Sequence, residues 1–535
     1  MKTSIISALV FLCMVFPGLC QEPEIILNDL QVSNAYKTSE RIDSIYYFVG
    51  HTGDYDQEVW RTNGTPEGTY RVANIHLGGS AWPGELTGVE DKLFFMAMDD
   101  KGSEQLYLSD GTEEGTQWVF DVDPDAQEQN HMLTASGGLL YFRTSRPQIF
   151  TELWVSDGTT ENTHMVVDLC ENMISYPHEL TNFHDTLVFI AEDCNTGGET
   201  LYMTKGLNGP VQQLGGYLVR ALMCTDDSLY FVSSSEGYGG ELSGGTLAIG
   251  ELSRISDINP GEGSSSIFHI TQLDTLLLFR AYDPDHGAEL WSYNMNTATV
   301  QLVKDISPGA FGSSFPDQLI SFKGKLFFKA NDGVHGDELW ISDGTEDGTF
   351  MLKNIYEEQD EIVYHSYPQK FFATEDQLYF MANDGVHGPE LWQTDGTVEG
   401  TKMTADIWPR GNEGSDPGDF AEIGDYLVFN AWYNQRTLYR LKIHNTSTVG
   451  LSESIPRTSL FTLYPNPAHS SVILEPGTTS EIRYRILDIS GREVMNGSVR
   501  DGSKTRLDLS SLRSGLYLIQ GETGQASQTL KFNVD

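Results

Sequence analysis

The chain of 535 residues is long enough for one large repeat domain and a small one. Its aromatic content of 11% and hydrophobic fraction of 39% can fill packed cores, which excludes a disordered chain. A formal charge of −43 leaves no basic footprint for nucleic acid; it keeps an exported protein soluble and offers carboxylates to divalent cations, solvated acidic loops being the simpler reading.

Residues 1–20 read as a signal peptide: Lys2, then a nearly unbroken apolar run from Ile5 to Val15, too short to span a bilayer. Gly18 and Cys20 place cleavage before Gln21, and bulky Leu19 disfavours a lipidated Cys20. No later run is long and apolar enough to expect a transmembrane span. Removal of Cys13 and Cys20 leaves Cys170, Cys194 and Cys224, an odd set that allows at most one bridge. Their spacings match no zinc pattern. Small buried fillers are expected, and whether any pair forms a disulfide stays open.

From 21 to 444 one frame returns: Glu-Leu-Trp-x-Ser-Asp-Gly-Thr-x-x-Gly-Thr. The cleanest copies begin at Glu338 and Glu390, an earlier one at Glu152, and a worn one at Glu58. The aromatic anchors are Trp60, Tyr107, Trp154, Tyr202, Trp291, Trp340, Trp392 and Tyr439, with a degenerate copy placed around Ala248. Successive anchors lie about 47 residues apart, within the range of propeller blades.

Each unit orders its short β-rich runs alike. Leu326–Ala330 is followed by the turn cluster Asn331–Gly336, the Leu-Trp strand, a Ser-Asp-Gly-Thr hairpin, and a closing run Met351–Ile355. A weaker run such as Gln318–Phe322 precedes the next unit. Aromatic and β-branched runs bounded by Gly, Asp and Asn are strands joined by hairpins. The expected fold is therefore all-β, a propeller of eight or nine four-stranded blades followed by a small Ig-like sandwich. Ile26–Leu30 resembles a closing strand that lacks its own unit, while the unit ending at Leu438–Leu441 lacks a closing strand. Pairing the two would remove both open edges, which otherwise template aggregation.

Residues 445–459 form a polar linker containing Pro456, and 460–535 a second β-rich segment. Its landmarks are Tyr464-Pro465-Asn466-Pro467, the turn with Asp488, Gly491 and Arg492, the run reaching Gly515 and Tyr517, and Lys531 before the final strand. This order resembles the type A C-terminal sorting domain of the type IX secretion system. The resemblance implies Sec export, type IX machinery as a partner, passage across an outer membrane and processing of the module. The protein would end secreted or on the outer-membrane surface, either released or attached to lipopolysaccharide. The repeats resemble the ELWxxDGT family, a sequence pattern that carries no activity with it.

Chemistry is thinly marked. Acids and a His recur before the Trp strand: Asp283, Asp285, His286 and Glu289; Asp332, His335 and Glu338; Asp384, His387 and Glu390. These oxygens could hold calcium, but the dense alternation of a calcium loop is missing and His suits calcium poorly. Structural roles are expected instead, with Asp capping turn amides and Glu pairing along the strand. The Ser-Asp-Gly-Thr hairpin is similar to the structural Asp-box turns of propeller glycosidases. No nucleophile elbow, His-Glu-x-x-His or phosphate loop stands in a fitting context. No catalytic residue, cofactor or defined metal site is expected. The reading is a non-catalytic surface or secreted binding propeller for an extracellular glycan or protein. A polysaccharide-active enzyme and a passive structural repeat are the rivals, and Tyr230–Leu252 is the stretch where an enzyme site would show.

Overall fold

The computed structural model describes residues 22–443 and 461–534, save for 34–36, 54–55, 124–130, 147–148, 171–172, 216, 226, 236, 247–251, 310–311, 358–362, 465–470, 477–481, 489–491, 500–503, 510–511, 513–514 and 524–526. The segments expected to be a signal peptide and a linker thus lie outside the described residues. The chain divides into two compact units, 1–445 and 446–535. Among the described residues every regular element is a strand.

The first unit holds nine antiparallel sheets, eight of four strands and one of five, numbered here by the order of their two central strands. The seventh is representative. Its strands Asp317–Phe322, Lys325–Asn331, Asp337–Ser342 and Phe350–Lys353 pair in chain order. Both faces of its Leu-Trp strand are buried, because each sheet lies between two others. Leu339 and Ile341 share a core with Phe380 and Trp392 of the eighth sheet. Trp340 turns the other way, onto Leu278, Leu290 and Val303 of the sixth. Near-continuous hydrophobic strands follow from this two-sided burial.

Trp154, Trp340, Trp392, Tyr202 and Tyr439 are buried, and each faces a Phe of the neighbouring strand, as in Phe328–Trp340 at 6.5 Å between ring centroids. Trp291 and Tyr107 are only partly buried. The fifth sheet corrects one expectation. Phe231 there pairs with Ser243, as Phe328 pairs with Trp340, so the anchor position is Ser243 rather than Ala248. Glu241-Leu242-Ser243 is the worn frame; loss of the aromatic hid it.

The first and last sheets of the array are linked. Glu24–Ile25 pairs with Gln435–Lys442 as the outer strand of the ninth sheet, Ile25 opposite Tyr439. Ile26 N donates to Leu438 O at 3.0 Å, and Arg440 pairs with Glu24 at 2.8 Å. The expected closing strand was Ile26–Leu30; it starts two residues earlier, and Leu30–Val32 instead pairs with Ile45–Thr52. Trp60 of the first sheet shares a core with Ile423, Val428 and Leu438 of the ninth.

Cys170 and Cys194 form a disulfide, and Cys224 is a partly buried free thiol. The first two are therefore a cross-link between neighbouring loops rather than fillers. Burial pushes the Cys224 thiol up to about 11, so it is unreactive near neutrality.

The second unit has seven strands among the described residues, in a three-stranded and a four-stranded antiparallel sheet. Val472, Leu474 and Leu507 from one sheet and Ile482, Ile486, Tyr517 and Ile519 from the other share one core, as a sandwich requires.

Two stability outcomes follow. Trp340→Ala should lower unfolding free energy by about 3–5 kcal/mol in denaturant titration, the cost of an inter-sheet cavity. The paired substitution Cys170→Ser/Cys194→Ser should cost about 3 kcal/mol, and a reducing agent should reproduce the loss in the native chain but not in the double variant.

Candidate functional site

Two of the repeated motifs are architectural. In the Ser-Asp-Gly-Thr turn, Asp343 Oδ1 accepts from Thr345 N at 3.0 Å and from the Thr345 hydroxyl at 2.6 Å. Ser342 Oγ accepts from Gly344 N and meets the Thr349 hydroxyl at 2.7 Å. The same Asx bond recurs in the first, second, third and eighth sheets. A Cβ on Gly348 would sit 1.9 Å from Asp343 Oδ1, which is why Gly holds that position. The hydroxyl of Thr345 and the Lys325 ammonium hold the Asp343 carboxyl down to about 2.

The Asp-x-x-His loops are the second. Asp332 Oδ1 accepts from Val334 N and His335 N, while Oδ2 meets His335 Nδ1 at 2.7 Å. Asp384 with His387 repeats this, and Asp283 with His286 does so in the sixth sheet. Asp caps turn amides, as expected. Among the described residues no group of three His, Cys, Asp or Glu is gathered as an ion's ligand set.

The Glu of the frame behaves differently from expectation. It does not pair along its strand; it is buried and accepts from the chain leading to the next sheet. Glu338 takes Ile355 N at 2.7 Å, Tyr356 N at 3.3 Å and the Ser366 hydroxyl at 2.7 Å. Glu390 takes Ile407 N, Trp408 N and the Ser415 hydroxyl; Glu289 takes Ile306 N, Ser314 N and the Ser314 hydroxyl. Glu152 and Ser175 repeat the link. Burial pushes the carboxyls of Glu58, Glu152, Glu338 and Glu390 up to about 7, although their amide hydrogen bonds pull the other way.

The Glu-bound serines are Ser175, Ser314, Ser366 and Ser415, while Ser265 bonds Gly240 O and Ala81 takes the position in the second sheet. The residue after each has positive φ: Trp82, Tyr176, Ser266, Phe315, Tyr367 and Asp416. Three residues on, Glu85, Glu179, His269, Gln318, Lys370 and Asp419 again have positive φ, each at a bulge in the first strand. Non-glycine residues in this region are uncommon and strained, and here they fall in register from sheet to sheet. The four aromatics project outward: Trp82 is 58% exposed, Phe315 57%, Tyr367 50% and Tyr176 45%. Tyr367 stacks on His365 at 5.0 Å, and Tyr176 lies under the Arg143 guanidinium at 4.3 Å. Sequence reading missed this row. The signal was present as Trp82-Pro83, Tyr176-Pro177, Phe315-Pro316 and Tyr367-Pro368, but only the backbone shows the shared conformation.

Across the sixth to ninth sheets the first strands neighbour one another and polar side chains link them. His269 Nε2 meets Asp317 Oδ1 at 3.0 Å, and Lys329 meets Asp317 Oδ2 at 3.0 Å. Lys370 N donates to Gln318 Oε1, and its ammonium meets Asp416 at 2.8 Å. Arg436 pairs with the other Asp416 oxygen and with Asn430, whose amide reaches Asp419. A separate open cleft of about 440 Å³ beside the closing strand is lined by Pro23, Ile25, Asp406, Ile407, Tyr433 and Tyr439.

Tyr230–Leu252 shows no enzyme-like centre among its described residues. Its buried acid, Glu241, is occupied by Ser256, Ile258 N and Asn259 N. Gly239 is there because a Cβ would meet Gly263 O at 1.9 Å.

In the second unit Asp488 pairs with Tyr517 and Lys531 with Leu518 across adjacent strands, Gly515 begins the central strand, and Tyr517 is buried. Tyr464 ends a strand of the smaller sheet and Arg492 is exposed; Pro465, Asn466, Pro467 and Gly491 lie outside the described residues. Residues 462–535 match the family described as Secretion system C-terminal sorting domain. This tail supports a secreted or cell-surface protein. No helix among the described residues is long and apolar enough to cross a membrane.

No curated protein matches the chain. Among solved structures it is similar to puromycin hydrolase, at 12% identity and TM-score 0.36, covering 75% of this chain and 58% of that one. A prolyl endopeptidase structure gives 11% identity and TM-score 0.38, covering 67% and 55%. An oligogalacturonate lyase in complex with manganese gives 12% and 0.35, covering 77% and 99%. The chain thus spans little more than half the length of these peptidases, and likeness at this level transfers no activity.

The raised Glu carboxyls set a pH dependence. A carboxyl that binds its proton more tightly folded than unfolded favours folding most below its ordinary value of 4.5, and that contribution is lost as pH rises toward about 7. The turn aspartates, held low, contribute stability that is fully present between pH 5 and 8 and is lost only at more acid pH. The melting temperature of the repeat unit should therefore be several degrees higher at pH 5 than at pH 8, and Glu338→Gln should narrow the gap.

Proposed function

We propose that the chain is an ELWxxDGT-repeat protein exported by the type IX secretion system, whose nine sheets close into a nine-bladed propeller that binds an extracellular ligand without catalysis. Closure is supported by the outer strand Glu24–Ile25 in the ninth sheet and by the contact of Gly418–Ile423 with Ile45–Thr52. A closed ring leaves no sheet edge to aggregate. Export is supported by the match of residues 462–535 to the sorting family.

The observation that carries the binding reading is the row of exposed aromatics, Trp82, Tyr176, Phe315 and Tyr367, held at equivalent strained positions. Exposed aromatics on a rigid scaffold provide large contact area at low entropic cost, the usual character of recognition surfaces. Sheets that repeat a structural part in nearly every unit make a poor single active site.

Two experiments test this. The mature chain, probed against immobilised glycans and extracellular proteins, should bind a ligand with affinity lowered about tenfold or more by Trp82→Ala/Tyr367→Ala. It should leave that ligand chemically unchanged; new reducing ends or peptide termini would make it an enzyme. Deleting Leu460–Asp535 should leave a folded repeat unit trapped in the periplasm with an unchanged melting transition. Normal appearance of the truncated chain in the medium would contradict the export reading.

A further inference from the structure

The sixth to ninth sheets carry a charge pattern at odds with the rest of this chain, in which 76 acidic residues face 33 basic ones. Around Asp317 stand two permanent cations: Lys329 at 3.0 Å, and Arg280, which acts on Asp317 electrostatically and lies over the Phe268 ring at 4.7 Å. Around Asp416 stand Lys370 at 2.8 Å and Arg436, whose guanidinium lies over the Trp432 ring at 5.7 Å. In the first group one carboxylate is shared by two cations, leaving one positive charge uncompensated within it; in the second, Asp416 and the nearby Asp419 together face Lys370 and Arg436. His269 responds to the first group. Burial holds its imidazole below the ordinary value, and Arg280 and Lys329 add to this against the pull of Asp317.

Each group also has exposed rings beside it. Phe268 is 45% exposed next to Arg280, and Phe315 stands two residues before Asp317. Trp432 is similarly exposed beside Arg436, and Tyr367 stands three residues before Lys370. The same composition thus occurs twice, two sheets apart: two cations on one Asp, flanked by two open aromatic rings. The ninth lead-in also carries Asp419, which accepts from the Asn430 amide, and Glu422.

We propose that this arc binds a carboxylated polysaccharide, a polyuronate chain whose successive carboxylates meet Arg280 and Lys329 and then Lys370, which the buried Arg436 helps to place by sharing Asp416. The proposal rests on the binding reading above and names its ligand class. A pyranose ring offers a C–H face to an exposed aromatic, and a uronate adds the anion that a shared, under-compensated cation pair can take up. A polymer with one charge per sugar suits two subsites that each pair a lysine with exposed rings, and simultaneous engagement raises affinity without further contacts. Polyanionic nucleic acid is disfavoured by the −43 charge of the whole chain, which a ligand confined to the arc avoids in part.

The test is titration calorimetry of the mature full-length protein with alginate as probe, against a neutral β-glucan and poly-glutamate, at low and high salt. Alginate should bind, more weakly as salt rises. Arg280→Met and Lys370→Met should each lower affinity about tenfold, and together by more than either alone. Lys205→Met, an exposed cation on the fourth sheet, should leave it unchanged. Phe315→Ala, at an exposed ring, should weaken binding with the melting temperature retained. Failure to bind alginate, binding insensitive to Arg280 and Lys370, or equal binding of the neutral glucan would overturn the inference. Preference for poly-glutamate would assign the arc to acidic peptide and overturn it too. In the glucan and poly-glutamate outcomes the binding-module reading survives, so the two failures are distinguishable.

Discussion

The hydrogen bonds made by the buried Glu before each Trp hold this architecture together. A carboxylate removed from water is costly unless its oxygens are satisfied, and in Glu289, Glu338 and Glu390 both oxygens accept from the chain crossing to the next sheet. Glu338 joins its own strand to Ile355, Tyr356 and Ser366, and Glu390 does the same for Ile407, Trp408 and Ser415. Each bond set fixes where one sheet ends and how the next begins. The Trp two residues later then packs on the preceding sheet, so polar and apolar links run in opposite directions from one strand.

This arrangement connects stability to display. Because Ser366 is tied to Glu338, the following Tyr367 can be held with positive φ and its ring left open to solvent. Strain of this kind persists only where surrounding structure over-determines the backbone. The Ser–Glu stitch leaves the residue after it free to vary, as Tyr176, Phe315, Tyr367 and Asp416 show, and Trp82 and Ser266 reach the same backbone conformation without it. A row of equivalent positions with individual side chains lets similar sheets display a varied surface.

Much of the scaffold was legible in the chain because its signals are local. The Ser-Asp-Gly-Thr turn hydrogen-bonds within eight residues, and strand order follows from alternating hydrophobic runs and Gly-rich turns. The worn fifth unit was misplaced by five residues because Ser243 replaces the aromatic on which the register was read. The closing strand was found but set two residues late, since a short run such as Glu24–Ile25 has no pattern of its own. The disulfide between Cys170 and Cys194 could not be chosen from three cysteines without knowing which loops meet.

The amino-acid sequence by itself indicated regularly spaced β-rich units and a sorting tail, read over 460–535 and matched over 462–535. These rest on periodicity and on contiguous motifs, which are properties of neighbours along the chain. Only the tertiary structure decided that the frame Glu bonds across sheets, that Tyr367 and Phe315 project together, and that Asp317 and Asp416 each gather two cations. Those pairings join residues of different strands and often of different sheets. Their partners are selected by the stacking of one sheet on the next, which no local pattern in the sequence encodes.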